Sequence, residues 1–178
     1  VFALILQITN KVSIHSDAVH NGEWCECADF CFWKAPLSEL DGKTLGIIGY
    51  GSIGQRVSNI AKAFGMKVMV NTPHPNPDKF KDVNFVDFDT LCKESDFITC
   101  HCPLTPKTEG IINKDAISKM KSSTVIINTS RGPVVNETDL AEALNSERIG
   151  GAGVDVLSVE PPRNDNPLLS AKNCVITP

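Results

Sequence analysis

The feature that most constrains the fold is an apolar segment that runs into a glycine-rich turn and then into an amphipathic helix. The apolar run begins at Thr44, and the turn reads Gly49-Tyr50-Gly51-Ser52-Ile53-Gly54. Apolar residues then recur at helical spacing as far as Phe64, and a second apolar run begins at Lys67. A strand, a turn, a helix and a strand in this order predict a parallel βαβ unit.

Each glycine of this turn has a predicted role. Gly49 permits the tight turn, Gly51 lets the backbone approach phosphate oxygens, and Gly54 lets the helix pack closely on the strand. The free N–H groups at the start of the helix would face the anion. The turn therefore predicts a dinucleotide-binding site, because an ordinary strand-to-helix turn explains three glycines at this spacing poorly.

The rest of the chain after Thr44 alternates short apolar runs with helical patterns. This alternation predicts an α/β fold of the Rossmann type, with a doubly wound parallel sheet and helices on both faces. Asn113 and Asn136 are expected to cap two of the helices. The later strands are predicted at residues 67–70, 84–86, 97–101, 124–128, 152–156 and 175–177.

Residues 1–36 have a different pattern but are assigned to the same domain as 37–178, the predicted NAD(P)-binding domain. Residues 1 to about 20 predict one helix, and the rest is an irregular aromatic and cysteine-rich segment containing Phe30 and Trp33. Such a segment either packs on its own domain or forms an arm that embraces a second subunit. We expect an arm, and hence a homodimer.

Composition excludes several classes of protein. The chain has 178 residues, enough for one packed domain, and a formal net charge of −4, which does not indicate nucleic-acid binding. It has no apolar run of roughly 20 residues and no signal-peptide pattern, so we expect no membrane partner and a cytoplasmic location. It begins without Met inside an apparent helix, so we expect a piece of a longer protein.

The seven cysteines do not predict a disulfide framework or a metal site. An odd number in a sequence of this type favours free thiols. Cys25, Cys27 and Cys31 form the only cluster, and their spacing is not that of a zinc site. No metal is therefore expected.

Polar residues follow several of the predicted strands, at the edge where ligands bind in parallel sheets. They lie in Cys102-Pro103-Leu104-Thr105, in Asn128-Thr129-Ser130-Arg131-Gly132, and at Asp155 and Glu160. Arg131 could point its guanidinium into the crevice and hold a carboxylate or a carbonyl oxygen. The alternatives are a surface ion pair for Arg131 and a solvated loop charge for Glu160.

Taken together, these segments resemble the D-isomer-specific 2-hydroxyacid dehydrogenase family, in its glycerate dehydrogenase or hydroxypyruvate reductase branch. The resemblance covers almost the whole chain. It rests on the glycine turn 49–54, on His101-Cys102-Pro103-Leu104-Thr105, on Asn128-Thr129-Ser130-Arg131-Gly132, and on Gly153-Val154-Asp155-Val156 continuing to Val159-Glu160-Pro161.

The resemblance implies hydride transfer between a nicotinamide cofactor and a small 2-hydroxy or 2-oxo acid. Arg131 would orient the acid and polarise its carbonyl group, and Glu160 would hold a catalytic histidine. Asp155 would lie beside the nicotinamide carboxamide. The remaining expected cofactor contacts are Gly49, Gly51, Ser52, Ile53, Gly54, Thr72, Cys102, Pro103, Thr129 and Ser130.

In this family the catalytic histidine follows a Thr-Pro pair, and the sequence ends at Thr177-Pro178. None of the four histidines present replaces it, and most of the substrate domain is also absent. We therefore expect this chain to bind cofactor but to have little or no activity alone.

The choice of cofactor is left open by the sequence. The βαβ rule expects an acidic residue about 20 positions after the glycines, where this chain has Asn71 and Thr72. Neither would repel a 2′-phosphate, and His74 or Lys79 could attract one. NAD is our first expectation because the family is mostly NAD-linked, and NADP is possible.

Two alternative functions are compatible with the same motifs. One is a regulatory dinucleotide sensor like the related carboxy-terminal-binding corepressors, which also keep the residues corresponding to Arg131 and Glu160. The other is a different family member, such as a phosphoglycerate, D-lactate or formate dehydrogenase.

Overall fold

A seven-stranded, all-parallel sheet forms the centre of the computed structural model, which describes residues 1–178. The strands are β1 Thr44–Ile48, β2 Lys67–Asn71, β3 Asn84–Phe85, β4 Phe97–Cys100, β5 Val125–Asn128, β6 Gly151–Val154 and β7 Cys174–Ile176. Their order in the sheet is β3-β2-β1-β4-β5-β6-β7. This architecture confirms the predicted Rossmann-type α/β fold.

Helices cover both faces of the sheet. The helices are α1 Phe2–Asn10, α2 Val12–His20, α3 Ser52–Ala63, α4 Phe88–Glu94, α5 Lys114–Ser118 and α6 Glu137–Asn145, with 3-10 helices at Gly132–Val134 and Pro167–Ser170. Buried residues of α1 and α3 pack into one apolar cluster, and those of α4, α5 and α6 pack into a second, larger cluster. The central strands β4 and β5 are buried along their whole length because both of their faces are covered.

The prediction of one N-terminal helix over residues 1 to about 20 is wrong in detail. Lys11 has φ 49° and ψ 42°, the left-handed conformation, which ends α1 and starts α2 in a new direction. Leu4, Ile5 and Ile8 of α1 are buried against the sheet. This first helix therefore belongs to the core of the domain.

Residues 11–37 form the exposed part of the N-terminal region, which we call the exposed segment. Phe30 is 89 % exposed and Trp33 is 71 % exposed. Its internal contacts include hydrogen bonds from Trp24 Nε1 to the Phe30 carbonyl at 3.0 Å and from the Lys34 N–H to His15 Nε2 at 3.1 Å. All seven cysteines of the chain are free thiols. None of the helices combines the length and hydropathy that a bilayer-spanning segment requires.

The strand order places a topological switch point between β1 and β4. From β1 the chain moves outward to β2 and β3 and then returns to the opposite side of β1 to form β4. The loops that leave β1 and β4 diverge, and this opens a crevice at the carboxyl edge of the sheet. The glycine turn follows β1 and the His101–Thr105 segment follows β4, so both lie at this crevice.

Candidate functional site

The glycine turn has a geometry that only glycine supplies at two positions. Gly49 has φ 93°, and a Cβ there would lie 2.8 Å from the backbone of His101 and Cys102. A Cβ on Gly54 would lie 2.4 Å from the carbonyl oxygen of Gly49. These contacts confirm that the turn after β1 is tight and that α3 packs directly against it.

Gly51 differs from the other two glycines because the protein itself does not crowd it. It has φ −75°, which any residue adopts, and a Cβ there would have no neighbour within 4 Å. Gly51 is the N-cap of α3, and with no side chain it leaves the first N–H groups of the helix without a capping bond. The open approach and the free N–H groups fit a bound pyrophosphate.

A cleft of about 520 Å³ opens beside this turn. It brings Gly49 and Gly51 together with Thr72, Cys102 and Pro103, as the sequence predicted. Ser52, Ile53 and Gly54 lie in the adjoining first turn of α3, where the side chain of Ile53 is exposed. The cleft has further lining residues beyond the predicted cofactor contacts: Ile48, Tyr50, Asn71, Pro73, His101, Thr105, Lys107, Thr108 and Ile111.

No carboxylate lines this cleft, and Lys107 is its one permanently charged side chain. Burial lowers the pKa of His101 to about 4, so the ring is neutral near pH 7. The Nε2 atom of His101 lies 3.0 Å from the Thr99 hydroxyl. Burial also raises the pKa of the Cys102 thiol, which is therefore a poor nucleophile. The cleft is chemically suited to bind an anion.

Asn71 and Asp87 lie near the end of β2 but are committed to structural bonds. The Asn71 amide donates to the Val86 carbonyl oxygen at 3.0 Å. The Asp87 carboxylate caps α4 by accepting from the Thr90 N–H at 2.8 Å and from the Thr90 hydroxyl at 2.7 Å. Thr72 therefore remains the polar side chain at this end of the cleft with no assigned bond.

The segment after β5 is shaped by Asn128, a fully buried polar residue. Its Oδ1 accepts from the Ser130 N–H at 3.1 Å and from the Ser130 hydroxyl at 3.0 Å, and its Nδ2 donates to the Arg131 carbonyl at 2.8 Å. The sequence placed Asn128 among the polar residues at the ligand-binding edge of the sheet but did not predict these bonds. Its three bonds fix the turn that carries Thr129 to Arg131.

Arg131 differs from the expectation that its guanidinium points into the crevice. The side chain is exposed, its Nη1 donates to the Ser130 carbonyl at 2.6 Å, and it lines neither of the clefts at this edge. Thr129 and Ser130 do not line them either. The Ser130 carbonyl is the acceptor that the guanidinium uses in this conformation.

A second cleft of about 520 Å³ lies at the ends of β6 and β7 and contains Asp155 and Glu160. The Leu157 N–H donates to Glu160 Oε1 at 2.9 Å. The hydroxyl group of Thr177 donates to Asp155 Oδ1, and Thr177 and Pro178 line the same cleft. The structure thus groups Asp155, Glu160 and the Thr177-Pro178 pair, apart from the glycine-turn cleft.

Comparison with known proteins identifies this arrangement. Residues 2–178 match the model described as "D-isomer specific 2-hydroxyacid dehydrogenase, NAD binding domain". The chain belongs to this family. The resemblance inferred from the sequence motifs is confirmed, and the chain is an NAD-binding domain of this family.

Relatives within the family carry related names. The chain is 52% identical over 177 residues to "Hydroxypyruvate reductase" from Blautia hydrogenotrophica, covering 99% of this chain and 55% of that protein. It is 39% identical over 180 residues to "Glycerate dehydrogenase" from Methylorubrum extorquens, covering 100% of this chain and 55% of that protein. The chain thus spans about half the length of the curated relatives it matches.

Among solved structures, D-lactate dehydrogenase with NAD+ from Lactobacillus jensenii superposes with a TM-score of 0.82 at 30% identity. The alignment covers 99% of this chain and 56% of that one. No group of three or more His, Cys, Asp or Glu side chains in the 178 residues is arranged to hold a metal ion.

Proposed function

We propose that this chain is the cofactor-binding part of an enzyme that transfers hydride between a nicotinamide cofactor and a small D-2-hydroxy acid or 2-oxo acid. Glycerate and hydroxypyruvate are the proposed pair. The observation that carries the proposal is the uncapped start of α3 at an acid-free cleft in a domain of this family. The name of the Blautia hydrogenotrophica relative, which is 52% identical, favours hydroxypyruvate.

The cofactor would lie along the carboxyl edge of the sheet. The turn from Gly49 to Gly54 would bind the pyrophosphate through the N–H groups of Ser52 and Ile53, and Thr72 would face the adenosine ribose. Cys102 and Pro103 line the path. Thr129, Ser130 and Asp155 would contact the nicotinamide half, which supplies or accepts the hydride.

Arg131 and Glu160 are the proposed catalytic residues. The guanidinium of Arg131 is exposed and uses one donor on the Ser130 carbonyl, so its other N–H groups are available for a substrate carboxylate or carbonyl oxygen. Glu160 uses Oε1 on the Leu157 N–H, which leaves Oε2 available to orient an imidazole.

The histidine that the family resemblance implies would enter the second cleft. In the family it follows a Thr-Pro pair, and Thr177-Pro178 lines the same cleft as Glu160. A histidine directly after Pro178 would therefore begin beside the Glu160 carboxylate. The proposal predicts that the 178 residues alone bind cofactor but do not turn over substrate.

NAD is the proposed cofactor, with NADP also accepted. Thr72 carries no charge that would repel a 2′-phosphate, and the Asp87 carboxylate, which shares a pocket with Thr72, is engaged in capping α4. Calorimetric titration of the chain with NADH and NADPH in parallel tests this choice. Binding of NADH is expected, a tighter NADPH complex would reverse the order, and failure of both would contradict the proposed cofactor site.

The catalytic proposal is tested with a chimera in which this chain replaces the matched 177 residues of the Blautia hydrogenotrophica relative. The remaining half of that protein supplies the segments that this chain lacks. NADH oxidation is followed with hydroxypyruvate, glyoxylate and pyruvate. Reduction of hydroxypyruvate above the other two is expected, whereas a correctly folded chimera that binds NADH and reduces none would overturn the proposal.

We also propose that the protein is a cytoplasmic homodimer whose subunits meet through the exposed segment 11–37. Phe30 and Trp33 present large apolar surfaces that a partner subunit would cover. Removing residues 1–36 is a poor test because it also removes α1 from the core. Sedimentation of a Phe30→Ser/Trp33→Ser variant is a cleaner test: a monomer is expected, and an unchanged dimer would place the interface elsewhere.

A further inference from the structure

Glu137, the first residue of α6, accepts two hydrogen bonds that have no role in the function proposed above. Its Oε1 accepts from the Ser158 N–H and its Oε2 accepts from the Asn166 side-chain amide. We propose that Glu137 is a positioning residue, which holds the loop bearing Glu160 against the segment bearing Arg131. This inference rests on the proposed catalytic roles of these two residues.

The two contacts clamp the loop at both ends. The distances are 2.6 Å to the Ser158 nitrogen and 2.9 Å to Asn166 Nδ2. Ser158 lies two residues before Glu160, and Asn166 lies six residues after it. Asn166 is itself fixed, because its Oδ1 accepts from the Leu168 N–H at 3.0 Å and so caps the 3-10 helix Pro167–Ser170. One carboxylate therefore satisfies a donor on each side of Glu160.

The same loop also packs against the Arg131 segment. A Cβ on Gly132 would lie 2.0 Å from the Leu157 carbonyl carbon and 2.4 Å from the Ser158 nitrogen. The backbone next to Arg131 therefore touches the backbone that Glu137 and Glu160 hold through the Ser158 and Leu157 N–H groups. The relative placement of the two proposed catalytic side chains depends on this contact.

Other features of Glu137 agree with a fixed role. It lies in the first turn of α6, where negative charge is favoured by the helix dipole. It is partly buried, and both of its oxygens accept hydrogen bonds from within the protein. By contrast, Glu142 on the same helix is 62% exposed and pairs with Lys114 at the surface. Glu142 therefore provides a control residue with the same charge on the same helix.

The substitution Glu137→Gln tests the clamp because it keeps the shape and removes one acceptor. The amide oxygen can still accept from Ser158, but its NH₂ group then faces the NH₂ group of Asn166. The double variant Glu137→Gln/Asn166→Asp reverses donor and acceptor and restores the bond, since the carboxylate introduced at position 166 can still accept from the Leu168 N–H. Glu142→Gln is the matched control.

Two measurements compare the unsubstituted sequence with Glu137→Gln, the double variant and Glu142→Gln. Amide hydrogen exchange in the 178-residue chain reports on residues 157–160, and steady-state kinetics in the chimera report on catalysis. Glu137→Gln is expected to speed exchange in this loop and to lower kcat about 10-fold to 100-fold, with little change in the Kd for NADH. The double variant should recover both quantities, and the control should change neither.

The outcomes separate this inference from the proposed function. Unchanged loop exchange in Glu137→Gln, or a loosened loop with unchanged kcat, would overturn the positioning role. A loss of kcat that the double variant fails to recover would also overturn it. If the unsubstituted chimera reduces no 2-oxo acid, the proposed function fails, and the exchange comparison in the isolated chain still decides whether Glu137 holds the loop.

Discussion

α3 and α6 have the same helix geometry, but their N-terminal ends differ in capping. At α6, Asn136 caps the helix by accepting from the Asp139 N–H at 3.1 Å, and Glu137 turns its carboxylate to the neighbouring loop. At α3, the N-cap is Gly51, which has no side chain, and the first turn has no acidic residue. The start of α6 has a side-chain acceptor within the protein, whereas the N–H groups at the start of α3 are open to the cleft.

The residue at the N-cap decides whether the first N–H groups of a helix stabilise the fold or remain available to a ligand. Both ends carry free N–H groups and a partial positive charge before any cap is added. A side-chain acceptor uses these groups for stability, as at Asn136. A glycine leaves them for an external anion, and this is the arrangement at Gly51 in a domain of an NAD-binding family.

The largest effect is expected when α3 is given a side-chain cap. In Gly51→Asp the carboxylate would occupy the free N–H groups and repel the pyrophosphate, so the Kd for NADH should rise about 100-fold, or about 2.7 kcal/mol. The free energy of unfolding should stay within about 0.5 kcal/mol, since Gly is itself a tolerated N-cap. Calorimetry and urea denaturation measure the two quantities.

Gly51→Ala is the control for this substitution, because the added methyl group meets nothing within 4 Å. Its free energy of unfolding should fall by about 0.5–1 kcal/mol, because Ala is a poorer N-cap than Gly. If Gly51→Asp binds NADH normally, the start of α3 does not hold the pyrophosphate.

His101, which lies beside the turn before α3, provides a second test. Burial lowers the pKa of His101 from 6.5 to about 4, so the unfolded chain binds more protons than the native one between these values. Stability must therefore rise with pH through this window, and His101 alone should cost about 2 kcal/mol when the pH falls from 7 to 5.

The measurement compares urea denaturation of the unsubstituted chain and a His101→Gln variant across this range. The variant should lose less stability on acidification. If the free energy of unfolding changes equally with pH in the two proteins, the pKa of His101 is not lowered in the folded state.

Thr72→Asp adds a negative charge at the Thr72 end of the cleft instead of at the start of α3. The new carboxylate should accept from a ribose hydroxyl and repel a 2′-phosphate, so the ratio of the NADPH and NADH dissociation constants should rise about 10-fold. Thr72→Asn, which has nearly the same shape without charge, should shift it less. An unchanged ratio in both would place the adenosine ribose away from Thr72.

The smallest effect is expected from removing the cap of α6. Asn136→Ala should lower the free energy of unfolding by about 1 kcal/mol and the Tm by about 2–4 °C. The Kd for NADH should not change. Asn59→Ala, on the exposed surface of α3, is the control, and a loss of NADH binding in Asn136→Ala would show that the two helix ends are coupled.

The sequence predicted those parts of the molecule that depend on local pattern. The apolar strands, the caps Asn113 and Asn136, and the glycine turn are each read from neighbouring residues, and the structure confirms all of them. Thr72, Cys102 and Pro103, which the sequence motifs predicted as cofactor contacts, line one cleft with the glycine turn because strand ends meet at one edge of a parallel sheet.

What the sequence did not predict depends on long-range packing. The break at Lys11 arises as α1 turns onto the sheet, where Leu4 and Ile5 are buried. The clamp at Glu137 joins residues 21 and 29 positions apart, and no local pattern marks such a bond. The outward course of the Arg131 side chain likewise reflects a local acceptor that the motif alone does not indicate.

The position of α1 has a consequence for the order in which the molecule is made. This helix is synthesised before β5, β6 and β7, yet it packs on all three, and 140 residues separate Asn10 from Gly151. At about 5–20 residues per second, a ribosome needs roughly 7–28 s to make the intervening chain. Throughout that time the docking surface of the α1 apolar stripe is incomplete. The nascent chain must therefore keep part of α1 exposed until β6 and β7 emerge.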